Sequence, residues 1–181
     1  MHIFTLEDLA SPDYRAMLNS MHVGTQWGNG GAQQLDFFMP LVTELGCKTF
    51  LDYGCGKGKL KEVLPNLDVR LFDPGNPEFD KLPQPADFVT ALSCIENIEP
   101  AYVMNVLAHI YSLVIKGAYL SITLRLGRSN DLPDGRNEHL SVHPAEWWLA
   151  KLDEFDWTIK KQYVKGKALR VWLVKPLSPI L

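Results

Sequence analysis

Apolar positions recur along the chain with two different spacings, and the switch between them marks the elements. Val103, Val106, Leu107, Ile110, Leu113 and Val114 fall on one helical face, predicting a helix that starts at Glu99 or Pro100. Lys116-Gly117 is placed to end it. Residues 88–92 and 118–124 are short apolar runs, the form a strand takes when both faces are covered. Near the N-terminus, Ser11 can cap a helix with Pro12 in its first turn and Tyr14, Met17, Leu18 and Met21 on one side. A second helix is predicted over 32–45, with Leu35, Phe38, Val42 and Leu45 inward and Gly46 as its stop. Phe50 and Leu51 belong to a first strand. A helix carrying Leu60, Val63 and Leu64 follows and stops before Pro65, and 69–72 makes a second strand. Late in the chain, His143-Pro144 opens a helix with Trp148, Leu149, Leu152 and Phe155 inward. Residues 157–164 and 168–174 then flank Lys165-Gly166-Lys167 as an antiparallel hairpin.

Strands alternating with helices and closing in a hairpin predict an α/β fold, a single mostly parallel sheet with helices on both faces. Only 13 residues separate Asp73 from Asp87, too few for a helix and a full strand, so a third strand is short or absent, at most a stub near 79–82. Ligands of such sheets bind at the carboxyl ends of the strands. Residues 52–58, Asp73, 93–98 and the long irregular stretch 125–143 all fall on that edge. Residues 24–31 hold four glycines around Trp27, either a plain loop between helices or a flap that closes over a ligand. We take 1–46 as an N-terminal helical segment with this flap and 47–181 as the core, together one domain.

Composition narrows the partners. With 181 residues, 46% hydrophobic and a net charge of −3, the chain has the balance of an ordinary globular domain and no general attraction for polyanions. Cys47, Cys55 and Cys94 form no CxxC pair, and no apolar run is long enough for a membrane helix. A cytoplasmic protein with free thiols, no membrane association and no metal site is expected.

The chemistry centres on 49–60, TFLDYGCGKGKL. A dinucleotide fingerprint needs a third glycine at 59, where Lys59 stands, and a P-loop needs Ser or Thr after Gly56-Lys57. Asp52 precedes the turn, where a carboxylate repels pyrophosphate but suits an ammonium or sulfonium ligand. Asp73 follows 21 positions later, at the end of the neighbouring strand. An acid, three alternating glycines and a second acid are the order expected for S-adenosylmethionine, with S-adenosylhomocysteine as product.

DYGCGKG with FDP, then PADFVTALSCIENIEP, LPDGRNEHL and PAEWWL, resembles the class I S-adenosylmethionine-dependent methyltransferases over roughly 49–176. Within them the chain is similar to a small bacterial and phage group of the methyltransferase type 11/12 kind. The resemblance implies a Rossmann-like, seven-stranded sheet with an antiparallel last strand. It also implies that Asp52 and the backbone of Tyr53, Gly54, Cys55, Gly56 and Gly58 hold the methionine part of the cofactor. Asp73 is then the ribose ligand, Pro74 borders the adenine, and Ser93 and Cys94 pass near the sulfonium. Two departures stand out. Ser93 and Asn97 occupy positions where many relatives carry Asp and His, with only Glu96 retained. The short 75–85 segment lacks the usual Gly-Asp that contacts the adenine amino group, leaving a more open pocket or one served by Asp80.

For proton transfer, His139 and Glu96 are the candidate catalytic residues, His139 because an imidazole titrates near neutrality. Trp27, Arg136 and Asn137 are the candidate substrate contacts, although Arg136-Asn137 also reads as part of an ordinary turn. His109 is expected on a helix surface. The acceptor is expected to be a small molecule, a sugar or a nucleotide. Nucleic acid is not favoured, because no aromatic-tipped Pro-Pro tetrad and no Pro-Cys nucleophile is present, and the basic hairpin reads as a solvated face. Two alternatives remain: a cofactor-binding module without catalysis and, less favoured, a nicotinamide-dependent oxidoreductase.

Overall fold

The computed structural model describes residues 3–23, 27–28, 32–127 and 132–176. Its elements run α1 (Pro12–His22), α2 (Leu35–Glu44), β1 (Thr49–Tyr53), α3 (Lys59–Val63), β2 (Asp68–Phe72), β3 (Ala86–Leu92), α4 (Val103–Leu113), β4 (Val114–Thr123), α5 (Ala145–Leu152), β5 (Thr158–Lys165) and β6 (Ala168–Val174). They build a six-stranded sheet in the order β2-β1-β3-β4-β6-β5. β2, β1, β3 and β4 are parallel, and β6 runs antiparallel to both its neighbours. The class and the antiparallel closing hairpin match the sequence reading, whereas the implied seventh strand is missing among the described residues.

Side chains alternate across the sheet with the two-residue period of a strand. Phe50, Phe88 and Tyr119 pack with Phe38 and Val42 of α2 and Leu60 of α3. Leu51, Val89, Ala118 and Leu120 face Val106 and Ile110 of α4 and Trp148 of α5. At ~1.5–3 kcal/mol for each large apolar side chain, these two layers hold the domain together.

No third strand forms because the segment after β2 folds onto itself. Asn76 N–H donates to Asp73 O, Phe79 N–H to Asn76 O and Asp73 N–H to Phe79 O, so its backbone is engaged locally. β2 is therefore left as the edge strand, and β3 pairs with the other side of β1. Lys116-Gly117 does not stop a helix. α4 ends at Leu113, Val114 already pairs with Ala86, and Gly117 sits where a Cβ would meet Leu45 Cδ1 at 2.7 Å. Of the apolar residues on α3, Leu60 is buried and Val63 is exposed. Three of the basic residues of the hairpin are engaged: Lys160 contacts Glu44, Lys161 lies over Trp172, and Arg170 lies 4.1 Å from the Phe37 ring centroid.

α1 belongs to neither face. Tyr14, Met17, Leu18 and Met21 pack with Leu132 and Leu140, laying the helix across the carboxyl edge of the sheet. Ser11 caps it through Tyr14 N–H at 3.2 Å, as the sequence predicts.

Candidate functional site

β1 runs into the glycine turn at that edge. Gly54, Gly56 and Gly58 take φ of 71°, 55° and 70°, a left-handed backbone that glycine alone adopts freely. Space demands glycine too: a Cβ on Gly54 would meet Cys94 Sγ at 2.5 Å, and one on Gly56 would meet Gly28 Cα at 2.6 Å. Every amide of the turn has a partner. Gly54 and Cys55 N–H donate to Phe72 O, Gly56 N–H to Asp73 Oδ2, Lys57 N–H to Gly28 O and Gly58 N–H to Cys55 O. The turn presents a folded backbone ring with no donor left over for phosphate.

Two carboxylates flank it. Asp52 is 5% exposed and accepts from the Thr90 hydroxyl at 3.3 Å. Burial pushes its pKa up to about 7; Thr90 opposes this, and the nearby charge of Asp73 adds to it. Asp73 is buried, with Oδ2 2.9 Å from Gly56 N and Oδ1 2.9 Å from Gly75 N. Burial raises its pKa as well, opposed by His22 and by these two amides. His22 Nε2 lies 4.0 Å away.

His22 was not singled out in the sequence. Yet it continues the Tyr14, Leu18 row at four-residue spacing, the signal that could have placed it on the inward face. Its side chain is 6% exposed, its Nδ1 is buried without a hydrogen bond among the described residues, and burial lowers its pKa while Asp73 opposes the drop.

Between α1 and the strand ends lies a cavity of about 80 Å³. Tyr53, Gly54, Asp73, Pro74 and Cys94 line it on the sheet side, and Asn97 and Ile98 at the end near α4. Tyr14, Leu18, His22 and Trp27 form the wall opposite. α1 is fastened at both ends of this span. Ser11 N and Oγ each donate to Glu99 at 2.9 Å, and the Tyr14 hydroxyl donates to Asn97 O at 2.7 Å. At the other end Leu18 covers Gly75, where a Cβ would meet Leu18 Cβ at 2.5 Å.

The structure thus gathers Tyr53 and Gly54 of the turn, Asp73, Pro74, Cys94 and Trp27 around one space, whereas Asp52, Cys55, Gly56 and Gly58 are not among its lining residues. Cys94 Sγ donates to Tyr53 O at 3.4 Å, and burial holds its thiol well above the ordinary range. Ser93 stands at the exposed rim with φ 53°, its N–H donating to Ser121 O at 2.8 Å. Asp80 is not among the lining residues.

Glu96 and His139 are brought near each other but do not line the cavity. Glu96 is fully buried, and neither carboxylate oxygen has a hydrogen bond among the described residues. Burial raises its pKa, with Thr123 and then His139 among the groups that oppose the rise. His139 Nδ1 lies 2.6 Å from Arg125 O, so this nitrogen carries the proton and Nε2 is left to accept. Arg136 is tied to Asp134 through Nε at 2.7 Å, and Asn137 bridges to Gly127 through both ends of its amide. Residues 128–131 of this loop and 24–26 and 29–31 of the expected flap lie outside the described residues. His109 is buried, not on a surface: its Nδ1 lies 3.0 Å from the Tyr53 hydroxyl, and burial lowers its pKa to about 4. Among the described residues no group of three His, Cys, Asp or Glu is placed to hold a metal, and no helix is long and apolar enough to cross a membrane.

No family model and no curated protein matches the sequence. Solved structures match the fold. Magnesium protoporphyrin IX methyltransferase from Synechocystis PCC 6803 with bound S-adenosylmethionine is 15% identical, at a TM-score of 0.65 over 92% of this chain and 99% of its own. A 1,6-didemethyltoxoflavin-N1-methyltransferase from Burkholderia thailandensis, bound to 1,6-didemethyltoxoflavin and S-adenosylhomocysteine, is 18% identical at 0.64, over 92% and 91%. An O-methyltransferase family protein from Burkholderia thailandensis is 15% identical at 0.55 over 80% of this chain, which spans 57% of that protein's length. The fold is that of the class I S-adenosylmethionine-dependent methyltransferases, with one parallel strand fewer than the resemblance implied.

Proposed function

We propose that this chain is an S-adenosylmethionine-dependent methyltransferase acting on a small-molecule acceptor. One observation carries the conclusion: two buried carboxylates, Asp52 and Asp73, flank a glycine turn whose amides are all engaged. Pyrophosphate would meet buried negative charge and no free donor, which is strongly unfavourable. A ligand with an ammonium, a sulfonium and ribose hydroxyls offers cations and donors to the same carboxylates. Asp52 and backbone carbonyls of the 53–58 turn, which can only accept, then face the ammonium of the methionine end, Asp73 takes the ribose hydroxyls and Pro74 borders the base. When bound, the cofactor supplies an activated methyl group on sulfur.

The protein's share is alignment. Cys94 closes the cavity beside Gly54, and Ser93, held at φ 53°, gives the strand tip the strained backbone common at functional sites. His139, whose Nε2 lies 3.9 Å from Glu138 Oε1, is the candidate to take an acceptor proton, with Glu96 within electrostatic range of it. Trp27 contributes an aromatic wall for a flat acceptor. Arg136 and Asn137, engaged within their loop, shape the segment that carries His139. Two structural neighbours are named for 1,6-didemethyltoxoflavin and magnesium protoporphyrin IX, which supports a small-molecule acceptor.

A cofactor-binding module without catalysis is the second reading, favoured by the absence of Glu96 and His139 from the cavity lining. Thermal unfolding with S-adenosylhomocysteine tests the cofactor. At 100 times its Kd it should add ~2.7 kcal/mol, or about 5–10 °C in Tm for a chain of this size. Stabilisation by NAD and not by S-adenosylhomocysteine would overturn the proposal. Transfer of labelled methyl to a small-molecule extract separates enzyme from module; proven binding with no labelled product would favour the module.

A further inference from the structure

Resting on the cofactor reading above, we infer that α1 is an autoinhibitory plug that holds the site shut in the free protein. His22 is the partition that the cofactor displaces as it enters from the cleft beside Asn76 and Phe79. The space enclosed between α1 and the strand ends is about 80 Å³. Pockets that hold small molecules and cofactors run to about 300–1,000 Å³. α1 therefore cannot stay where it is while the cofactor binds at Asp73.

A larger space lies on the other side of His22. This cleft measures about 410 Å³, and Asn19, His22, Val23, Asn76 and Phe79 are among the residues that line it. Among the described residues, His22 alone lines both spaces. With the imidazole turned aside, the two join into a volume that suits a cofactor.

His22 is poorly held in the closed position. Its Nε2 stays 4.0 Å from Asp73 Oδ2, beyond hydrogen-bond distance, and its buried Nδ1 has no hydrogen bond among the described residues. A ribose hydroxyl donating directly to Asp73 gains an interaction that the imidazole does not make. The helix is also fastened unevenly. At its N-terminal end, Ser11 N and Oγ each donate to Glu99 at 2.9 Å, and the Tyr14 hydroxyl donates to Asn97 O at 2.7 Å. At its C-terminal end, Leu18 rests on Gly75 and His22 stands off from Asp73. The N-terminal end is thus the pivot, and the C-terminal end is the side that opens. A plug of this kind lowers apparent affinity by the fraction of molecules that are open. A lid that closes on bound ligand has the opposite effect.

Stopped-flow binding of S-adenosylhomocysteine to the full chain, followed by tryptophan fluorescence, tests the plug; Trp27 lines the cavity. In the wild-type protein the observed rate should level off as ligand rises, because opening precedes binding. His22→Ala should raise that plateau at least about fivefold and tighten Kd about three- to tenfold. Leu18→Ala, which releases Gly75 and leaves His22 in place, should shift both in the same direction and guards against a folding artefact in the first variant. Binding by the variants where the wild-type protein binds nothing would be the same result at its limit. A wild-type rate that climbs linearly with ligand, or folded variants that bind no faster or more weakly, overturns the plug and leaves the cofactor reading intact. Failure of all three proteins to bind overturns both.

Discussion

Asp73 and Glu96 are both buried carboxylates at the same edge of the sheet, and their surroundings are opposite. Asp73 accepts two backbone amides and faces His22. Glu96 has neither oxygen satisfied among the described residues. Burial raises the pKa of each; His22 and the Gly75 and Gly56 amides oppose the rise at Asp73, whereas Thr123 and His139 oppose it at Glu96 without a formed hydrogen bond to either oxygen among the described residues. One edge thus contains a carboxylate arranged to receive donors from a ligand and another sealed beneath a loop. Burial alone does not distinguish them; the partners do.

The strongest way to break this comparison is to disturb the frame. Gly56→Ala places a Cβ 2.6 Å from Gly28 Cα at φ 55°, combining left-handed strain with overpacking and shifting the amide that Asp73 uses. It should remove about 2–5 kcal/mol of stability. The check is the unfolding midpoint, expected to fall by roughly 5–15 °C. Asp73→Asn keeps the shape and removes the charge. S-adenosylhomocysteine affinity should drop about 10- to 100-fold, as for loss of a hydrogen bond to a charged group. Glu96→Gln, titrated in parallel, should leave affinity within about twofold because Glu96 is buried and is not among the lining residues. Equal losses in the two variants would dissolve the distinction.

The Asp73 side was largely readable in advance. Alternating glycines after a strand, with acids 21 positions apart, impose a local geometry that any such segment must satisfy. α1 was readable as a helix but not as a roof, because its attachments are long-range: Ser11 to Glu99 spans 88 positions and Tyr14 to Asn97 spans 83. The start of β4 was misread for the same reason. Val114 has helical spacing with α4, yet its backbone pairs with Ala86, and pairing overrides local pattern. Glu96 was visible as an acid, but a letter does not tell whether a carboxylate will find a donor. Arg136 and Asn137 read as ligand contacts or as a turn, and the structure closes the turn through Leu132 N–H to Arg136 O at 2.7 Å.

Asp52 sharpens the comparison from the other side of the turn. Its pKa of about 7, raised by burial, means it is mostly protonated at pH 6 and mostly charged at pH 8 in the free protein. A ligand ammonium favours the charged form, so binding below pH 7 must first release a proton. Affinity for S-adenosylhomocysteine should therefore rise about tenfold from pH 6 to pH 8. Asp52→Asn should flatten that slope. A slope that persists in the variant would assign it to Asp73 or His22 instead.

Glu96 gives the smallest effect and the cleanest sign. In the unfolded chain a glutamate ionises near 4.3, whereas burial raises the folded value. Folding then favours the protonated form. Its contribution to stability is fully present below the unfolded pKa and is lost progressively as pH rises through the folded one. Glutamine resembles the protonated carboxyl at every pH. Glu96→Gln should accordingly change Tm little at pH 4.5 and raise it at pH 8, by roughly 2–4 °C for each kcal/mol of ionisation cost removed. The difference in Tm between variant and wild type, followed from pH 4.5 to 8 without ligand, is the measurement. A difference that stays flat with pH would mean that Glu96 is ionised with a donor close by, and would make it the same kind of site as Asp73.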